Sequence, residues 1–97
     1  MFVIGNGTAN SSRNNAFSVG WTGNVAEGAG TTASGSESHA EGYNSVASGN
    51  NSHAEGGGTT ASGGYSHAEG EGTTASGNQS HAEGTNTTAS GHNSHAE

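Results

Sequence analysis

From Val25 onward the chain keeps one pattern of apolar and polar positions, with almost no apolar bulk in it. Alanine returns every seven residues, at Ala26, Ala33, Ala40, Ala47, Ala54, Ala61, Ala68, Ala75, Ala82, Ala89 and Ala96. Written in fourteens from Thr31, the sequence reads TTASGSESHAEGYN, SVASGNNSHAEGGG, TTASGGYSHAEGEG, TTASGNQSHAEGTN and a truncated TTASGHNSHAE. A disordered polar tract has no reason to hold register over so many units, whereas a solenoid must, because each coil stacks on the last. Helical periodicity is absent, and a glycine every seven residues would cost roughly 1 kcal/mol each in a helix. The pattern predicts two short strands and two tight turns per coil, with coils about 4.8 Å apart and held by backbone ladders.

Alternation along a strand then assigns faces. Ser38, Ala40 and Gly42 fall on one side and His39 and Glu41 on the other; Thr31, Ala33 and Gly35 oppose Thr32 and Ser34. The all-small set is expected inside, since a two-strand roll is too thin to hold larger side chains. Gly35 and Gly42 are placed where the chain bends, and pairs such as Tyr43-Asn44 and Asn50-Asn51 supply the turns. Residues 1–24 carry most of the large apolar side chains and read as a strand or hairpin that caps the roll of residues 25–97. In that cap Phe17, Val19 and Trp21 are expected on one strand face, with Asn6-Gly7 and Gly23-Asn24 as turns. At its C-terminal end the chain stops in mid-repeat, at Ser94-His95-Ala96-Glu97, as a piece of a longer fibre would.

Composition taken alone points to disorder: 26% of the residues are hydrophobic, glycine supplies 19 of 97, and the net charge is −7. The repeat overrules that reading, yet the same numbers exclude a compact monomeric globule with a core of large side chains. No apolar run approaches the ~20 residues of a membrane-spanning helix, and FVIG lacks the features of a signal peptide. Without cysteine there is neither a disulfide framework nor a thiolate zinc site. One basic residue, Arg13, leaves nothing to neutralise phosphates, so nucleic acid is not an expected partner.

The Ala-x-Gly-x-x-Ser-x-Ala-x-Gly register, including Ser45-Val46-Ala47-Ser48-Gly49, resembles the head repeats of trimeric autotransporter adhesins over about Val25 to Glu97. The N-terminal stretch resembles the lead-in to such repeats in bacteriophage tail fibres and prophage surface proteins. This likeness implies an all-β, left-handed parallel β-roll, or β-solenoid, of 14-residue coils, packed as a parallel homotrimer. It further implies a non-enzymatic structural segment of an extracellular fibre, on a virion tail or a bacterial surface. Such a fibre reaches a host surface glycan or protein through its wider architecture.

Ser-His-x-Glu occurs five times and invites a hydrolase triad. In a strand, however, the serine faces away from the histidine, so nucleophile and base cannot meet within one motif. No catalytic residue is expected, and no cofactor beyond a divalent ion. Candidate ligands for that ion are His39, Glu41, His53, Glu55, His67, Glu69, His81, Glu83, His95 and Glu97, which stacking arranges as a ladder of imidazoles and carboxylates. The bland alternative is a solvated stripe of loosely paired His and Glu. On the second outer face lie Thr32, Ser34, Val46, Ser48, Thr60, Ser62, Thr74, Ser76, Thr88 and Ser90. Because burying unpaired glutamate is costly, this milder face is the favoured contact between chains. Val25, however, falls on the His face, which keeps that face in contention. The threonine rank also suggests ice binding, though Val46 interrupts it. Tyr43 and Tyr65 are expected on turns as exposed aromatics or sugar contacts, and His92 lies off the ladder. Calcium sites of the aspartate-rich repeat kind are excluded, since there is no Asp.

Overall fold

A computed structural model describes residues 2–5 and 15–97, with side chains from Phe17 onward. Two strands open the chain, β1 (Phe2–Gly5) and β2 (Asn15–Val19), followed by β3 (Val25–Glu27). Thereafter each fourteen gives one two-residue and one longer strand. The short ones are β4 (Thr32–Ala33), β6 (Val46–Ala47), β8 (Thr60–Ala61), β10 (Thr74–Ala75) and β12 (Thr88–Ala89). The long ones are β5 (His39–Tyr43), β7 (His53–Gly57), β9 (His67–Glu71) and β11 (His81–Thr85), with β13 (His95–Ala96) last.

The two kinds of strand build two parallel sheets back to back. One runs β3-β5-β7-β9-β11-β13, the other β4-β6-β8-β10-β12. Partners are always fourteen residues apart: His39 faces His53, Glu41 faces Glu55, and Thr60 faces Thr74. Every coil therefore lays its side chains on those of the coil before, giving columns of like residues. The all-β parallel solenoid of fourteen-residue coils expected from the repeat is what the chain forms.

Between the sheets lies a column of alanine. The nine residues Ala33, Ala40, Ala47, Ala54, Ala61, Ala68, Ala75, Ala82 and Ala89 are the buried apolar core among the described residues. Alanine brings no side-chain entropy cost on burial, but it buries little area, so this core stabilises weakly per coil. Inter-coil backbone bonds of 2.8–3.0 Å, such as Val46 N–H to the Thr59 carbonyl and His53 N–H to the Ser66 carbonyl, tie each coil to the next.

Buried hydroxyls tie the turns to this core. Ser38, Ser52 and Ser80 each donate to the glycine carbonyl three residues earlier, at 2.6–2.7 Å. Ser45, Thr73 and Thr87 donate to the glutamate carbonyl four residues earlier. Thr59, Ser66 and Ser94 are the exceptions: their hydroxyls are buried without a partner. A buried unpaired hydroxyl costs about 1–3 kcal/mol, whereas a satisfied one contributes about 1 kcal/mol. Thr59→Val is therefore expected to raise stability by about 1 kcal/mol and Thr73→Val to lower it by a similar amount, read from thermal or denaturant unfolding. Equal effects of the two substitutions would contradict this account of the hydroxyls.

Each turn ends on a residue with positive φ. Asn44 and Asn86 do so at one edge of the roll; Glu37, Asn51, Tyr65, Gln79 and Asn93 do so at the other, all with φ of 55–59°. Asparagine tolerates this left-handed region, while Glu, Tyr and Gln adopt it at a cost of roughly 1–2 kcal/mol.

Two expectations about position need correcting. Strand alternation puts Gly42 inside with Ser38 and Ala40, yet it is exposed: it marks the bend expected there, and its φ of 110° turns the chain and breaks the alternation. Gly35, by contrast, is buried as expected. Trp21 does not share a strand face with Phe17 and Val19. β2 ends at Val19, and Trp21 projects from a Gly20–Gly23 turn, 89% exposed.

At the N-terminal end β2 pairs antiparallel with both β1 and β3. In the sheet of short strands the edge is closed differently. Within the stack, the Ser34 and Gly35 N–H groups both donate to the Ala47 carbonyl one coil on. The matching donor for Ala33 would be Gly20, but its N–H is spent on the Asn24 carbonyl. The Asn24 side-chain amide donates to the Ala33 carbonyl instead. The proposed turn at Asn6-Gly7 lies outside the described residues.

Candidate functional site

Two outward faces carry the chemistry. On the long-strand sheet, flanking each inward alanine, histidine and glutamate stand out from the roll. Stacking sets the imidazoles of His39, His53, His67, His81 and His95 parallel, with ring centroids 4.8–4.9 Å apart and planes within 10°. Beside them runs the glutamate column, whose members from Glu41 to Glu97 line, with Gly42, Gly56, Gly70 and Gly84, an open groove of about 850 Å³.

The two columns interlock diagonally. Four of the five ladder histidines hydrogen-bond through Nε2 a carboxylate of the preceding coil: His39 to Glu27 at 2.9 Å, His53 to Glu41 at 3.3 Å, His67 to Glu55 at 3.2 Å and His81 to Glu69 at 3.3 Å, while His95 has Glu83 at 3.4 Å. The glutamate of its own coil lies just beyond, at 3.9–4.0 Å for His53, His67 and His81. From His53 to His95 each imidazole is thus bracketed by two carboxylates, with side chains 33–38% exposed through the middle of the ladder. The diagonal follows from the repeat: a Glu two residues beyond each His, restacked every fourteen, lies twelve residues before the next His. All ten candidate metal ligands lie on this face. His92 is on a turn, apart from it.

Stacked carboxylates perturb one another. Glu27 is held below its ordinary value, first by its hydrogen bond with His39 and then by Glu41. Glu55 is held low chiefly by its interaction with Glu69. Glu41, between Glu55 and Glu27, is pushed up by both. A depressed carboxylate contributes stability that is present above its unfolded pKa and lost as pH falls through the folded one; a raised carboxylate does the reverse. Glu27 and Glu55, the two depressed groups, therefore contribute stability that is lost as pH drops below about 4.5. The melting temperature is expected to fall between pH 5.5 and 3, and to fall less in Glu27→Gln/Glu55→Gln; an identical drop in that variant would contradict the assignment.

The serines of Ser-His-x-Glu point the other way. Ser38, Ser52, Ser66 and Ser80 are buried inside the roll, on the opposite side of the strand from their histidines. Nucleophile and base are thus separated by the sheet itself.

On the second face, Thr32, Val46, Thr60, Thr74 and Thr88 form one column and Ser34, Ser48, Ser62, Ser76 and Ser90 another. No charged side chain interrupts either. Thr32, Thr88 and all five serines are exposed, and Val46, Thr60 and Thr74 half-buried. Tyr43 and Tyr65 are 64% and 67% exposed, at different edges of the roll. What sequence reasoning missed is the role of Asn24. The signal was an asparagine one residue before the first repeat strand, at the point where a preceding coil is lacking.

Fold and faces together define a repeat solenoid that displays ladders of identical side chains. The chain belongs to the YadA head domain repeat family, which matches it at residues 26–52, 40–66, 54–80 and 68–94, windows that step by one coil. Nothing matches it among curated proteins or solved structures. Membership makes this an adhesin-type structural and binding segment. Among the described residues no helix is long and apolar enough to cross a membrane.

Proposed function

We propose that the chain is a rigid, non-enzymatic spacer in an extracellular fibre, three copies side by side and parallel, with the Thr/Ser faces turned inward. The uncharged second face is the observation that carries this reading. Thr32, Val46, Thr60, Thr74 and Thr88 can be covered without stranding a charge, whereas covering the other face would desolvate a column of carboxylates. The thin alanine core supports it too, since small proteins with little buried area rely on association. In this arrangement the N-terminal strands β1 and β2 cap the stack, and the fibre presents a receptor-binding end to a host surface glycan or protein. Its setting is a phage tail fibre or a bacterial surface adhesin, with the net charge of −7 keeping neighbouring fibres apart.

Because the chain has no cysteine, single cysteines report which face is inside. Under mild oxidation Thr60→Cys is expected to give disulfide-linked pairs within the assembly and Glu69→Cys is not. Efficient linkage through Glu69→Cys alone would put the His/Glu face inside.

A further inference from the structure

The diagonal arrangement of the ladder does more than pair histidine with glutamate. Ion ligands in one coordination sphere must sit close together: with metal–ligand bonds of about 2.0–2.2 Å, neighbouring atoms of a tetrahedral site lie roughly 3.3 Å apart. The inter-coil Glu–His pairs are already at 3.2–3.3 Å for Glu41–His53, Glu55–His67 and Glu69–His81. The second carboxylate, at 3.9–4.0 Å, needs only a small rotation of a half-exposed side chain. Glu27, His39 and Glu41 bring their ligand atoms within 4.8 Å of one another, as do Glu83, His95 and Glu97; in the middle of the ladder the groups this close are His53-Glu55-His67 and His67-Glu69-His81, with Glu55 at 3.2 Å and Glu69 at 4.0 Å from His67. Imidazole with carboxylate suits zinc, nickel or copper among the divalent ions, and a bound ion would take the place of the hydrogen-bonded proton between Nε2 and the carboxylate.

Charge and spacing fix how many ions fit. One ion on every coil would put double charges about 4.8 Å apart, the spacing of the stacked rings. At every second coil the separation is roughly doubled, close to the Debye length of about 8 Å at physiological ionic strength. The ladder holds six glutamates, Glu27, Glu41, Glu55, Glu69, Glu83 and Glu97, and five histidines. Taken in sequence these divide into three Glu-His-Glu triads that share no ligand, centred on His39, His67 and His95. Each triad sets two negative charges against one divalent ion and leaves His53 and His81 as spacers. The geometry points to a transition-metal ladder on the outer face that takes three divalent ions per chain, one at each alternate coil. It needs only the stack within one chain, so it stands apart from the proposed trimer.

The test is equilibrium dialysis of the full chain, purified without a histidine tag, against Zn²⁺ at pH 7.5, with bound metal counted by mass spectrometry. Three ions per chain are expected in the wild type. His53→Gln/His81→Gln, which removes only the spacers, should still take three. His39→Gln/His67→Gln/His95→Gln should fall to two, because the ions shift to Glu41-His53-Glu55 and Glu69-His81-Glu83. These side chains point outward, so folding should survive; circular dichroism confirms it, and a zinc-induced rise in melting temperature gives a second readout on the wild type alone. Less than one ion per wild-type chain with no shift in melting, or loss of binding in the spacer variant, would overturn the proposal.

Discussion

Gly63→Ala is expected to disrupt the solenoid, although it adds a single methyl group. A Cβ on this buried glycine would lie 2.1 Å from the Gly77 carbonyl oxygen and 2.6 Å from its carbon, both backbone atoms of the next coil. No side-chain rotation relieves such a contact; the coils must separate, and the ladder bonds between them lengthen together. Overpacking of this kind costs about 3 kcal/mol or more. With each kcal/mol shifting the melting temperature of a domain this size by about 4–8 °C, a fall of at least roughly 12 °C is expected. Gly57 is the internal control: nothing lies within 4 Å of its would-be Cβ and its φ is not positive. Gly57→Ala should be neutral or slightly stabilising, through the lost freedom of the unfolded chain. Similar melting temperatures for the two alanine variants would contradict the stacking.

The second large effect is expected inside the alanine column. Ala54 is fully buried between the sheets, with Ala40 and Ala68 stacked on it in the coils before and after. Leucine there would add three carbons where the neighbours on every side are alanine, serine, threonine or backbone. Ala54→Leu should cost more than about 3 kcal/mol, near the upper end for overpacking, because two sheets held by backbone bonds cannot bulge one coil without opening the next. Ala54→Ser, which fits, should cost far less. Thermal unfolding followed by circular dichroism distinguishes them, and a leucine variant as stable as the wild type would mean that the lumen is wider than its alanine lining indicates.

Both effects come from the regularity that made the fold readable. Fourteen-residue spacing alone specifies that His39 stacks on His53 and Thr60 on Thr74, and alternation alone places Ala40 inward and Glu41 outward. What it could not specify is where alternation fails. Gly42 sits one step beyond the reach of the period-two rule, because a glycine with φ of 110° reverses the direction that an L-residue would take. Turn residues were legible as turns, but not that Glu37, Tyr65 and Gln79 would occupy the left-handed region beside Asn51 and Asn93, since the stacked backbone, and not local preference, sets φ there. Trp21 was misplaced for a related reason: apolar character suggested a strand face, while the turn closed by the Gly23 N–H on the Gly20 carbonyl took the residue out of the strand. For the His/Glu site, the columns were legible and the bracketing of each imidazole was not, because it depends on glutamate rotamers that reach back one coil.

The central claim, that three copies associate through the Thr/Ser face, is tested most directly by the solution mass of the untagged chain from light scattering, measured with and without chelator. Three times the 9.4 kDa chain mass under both conditions is the predicted result. A folded species at the mass of one chain would contradict it, and would leave the threonine rank open to solvent as the surface to explain.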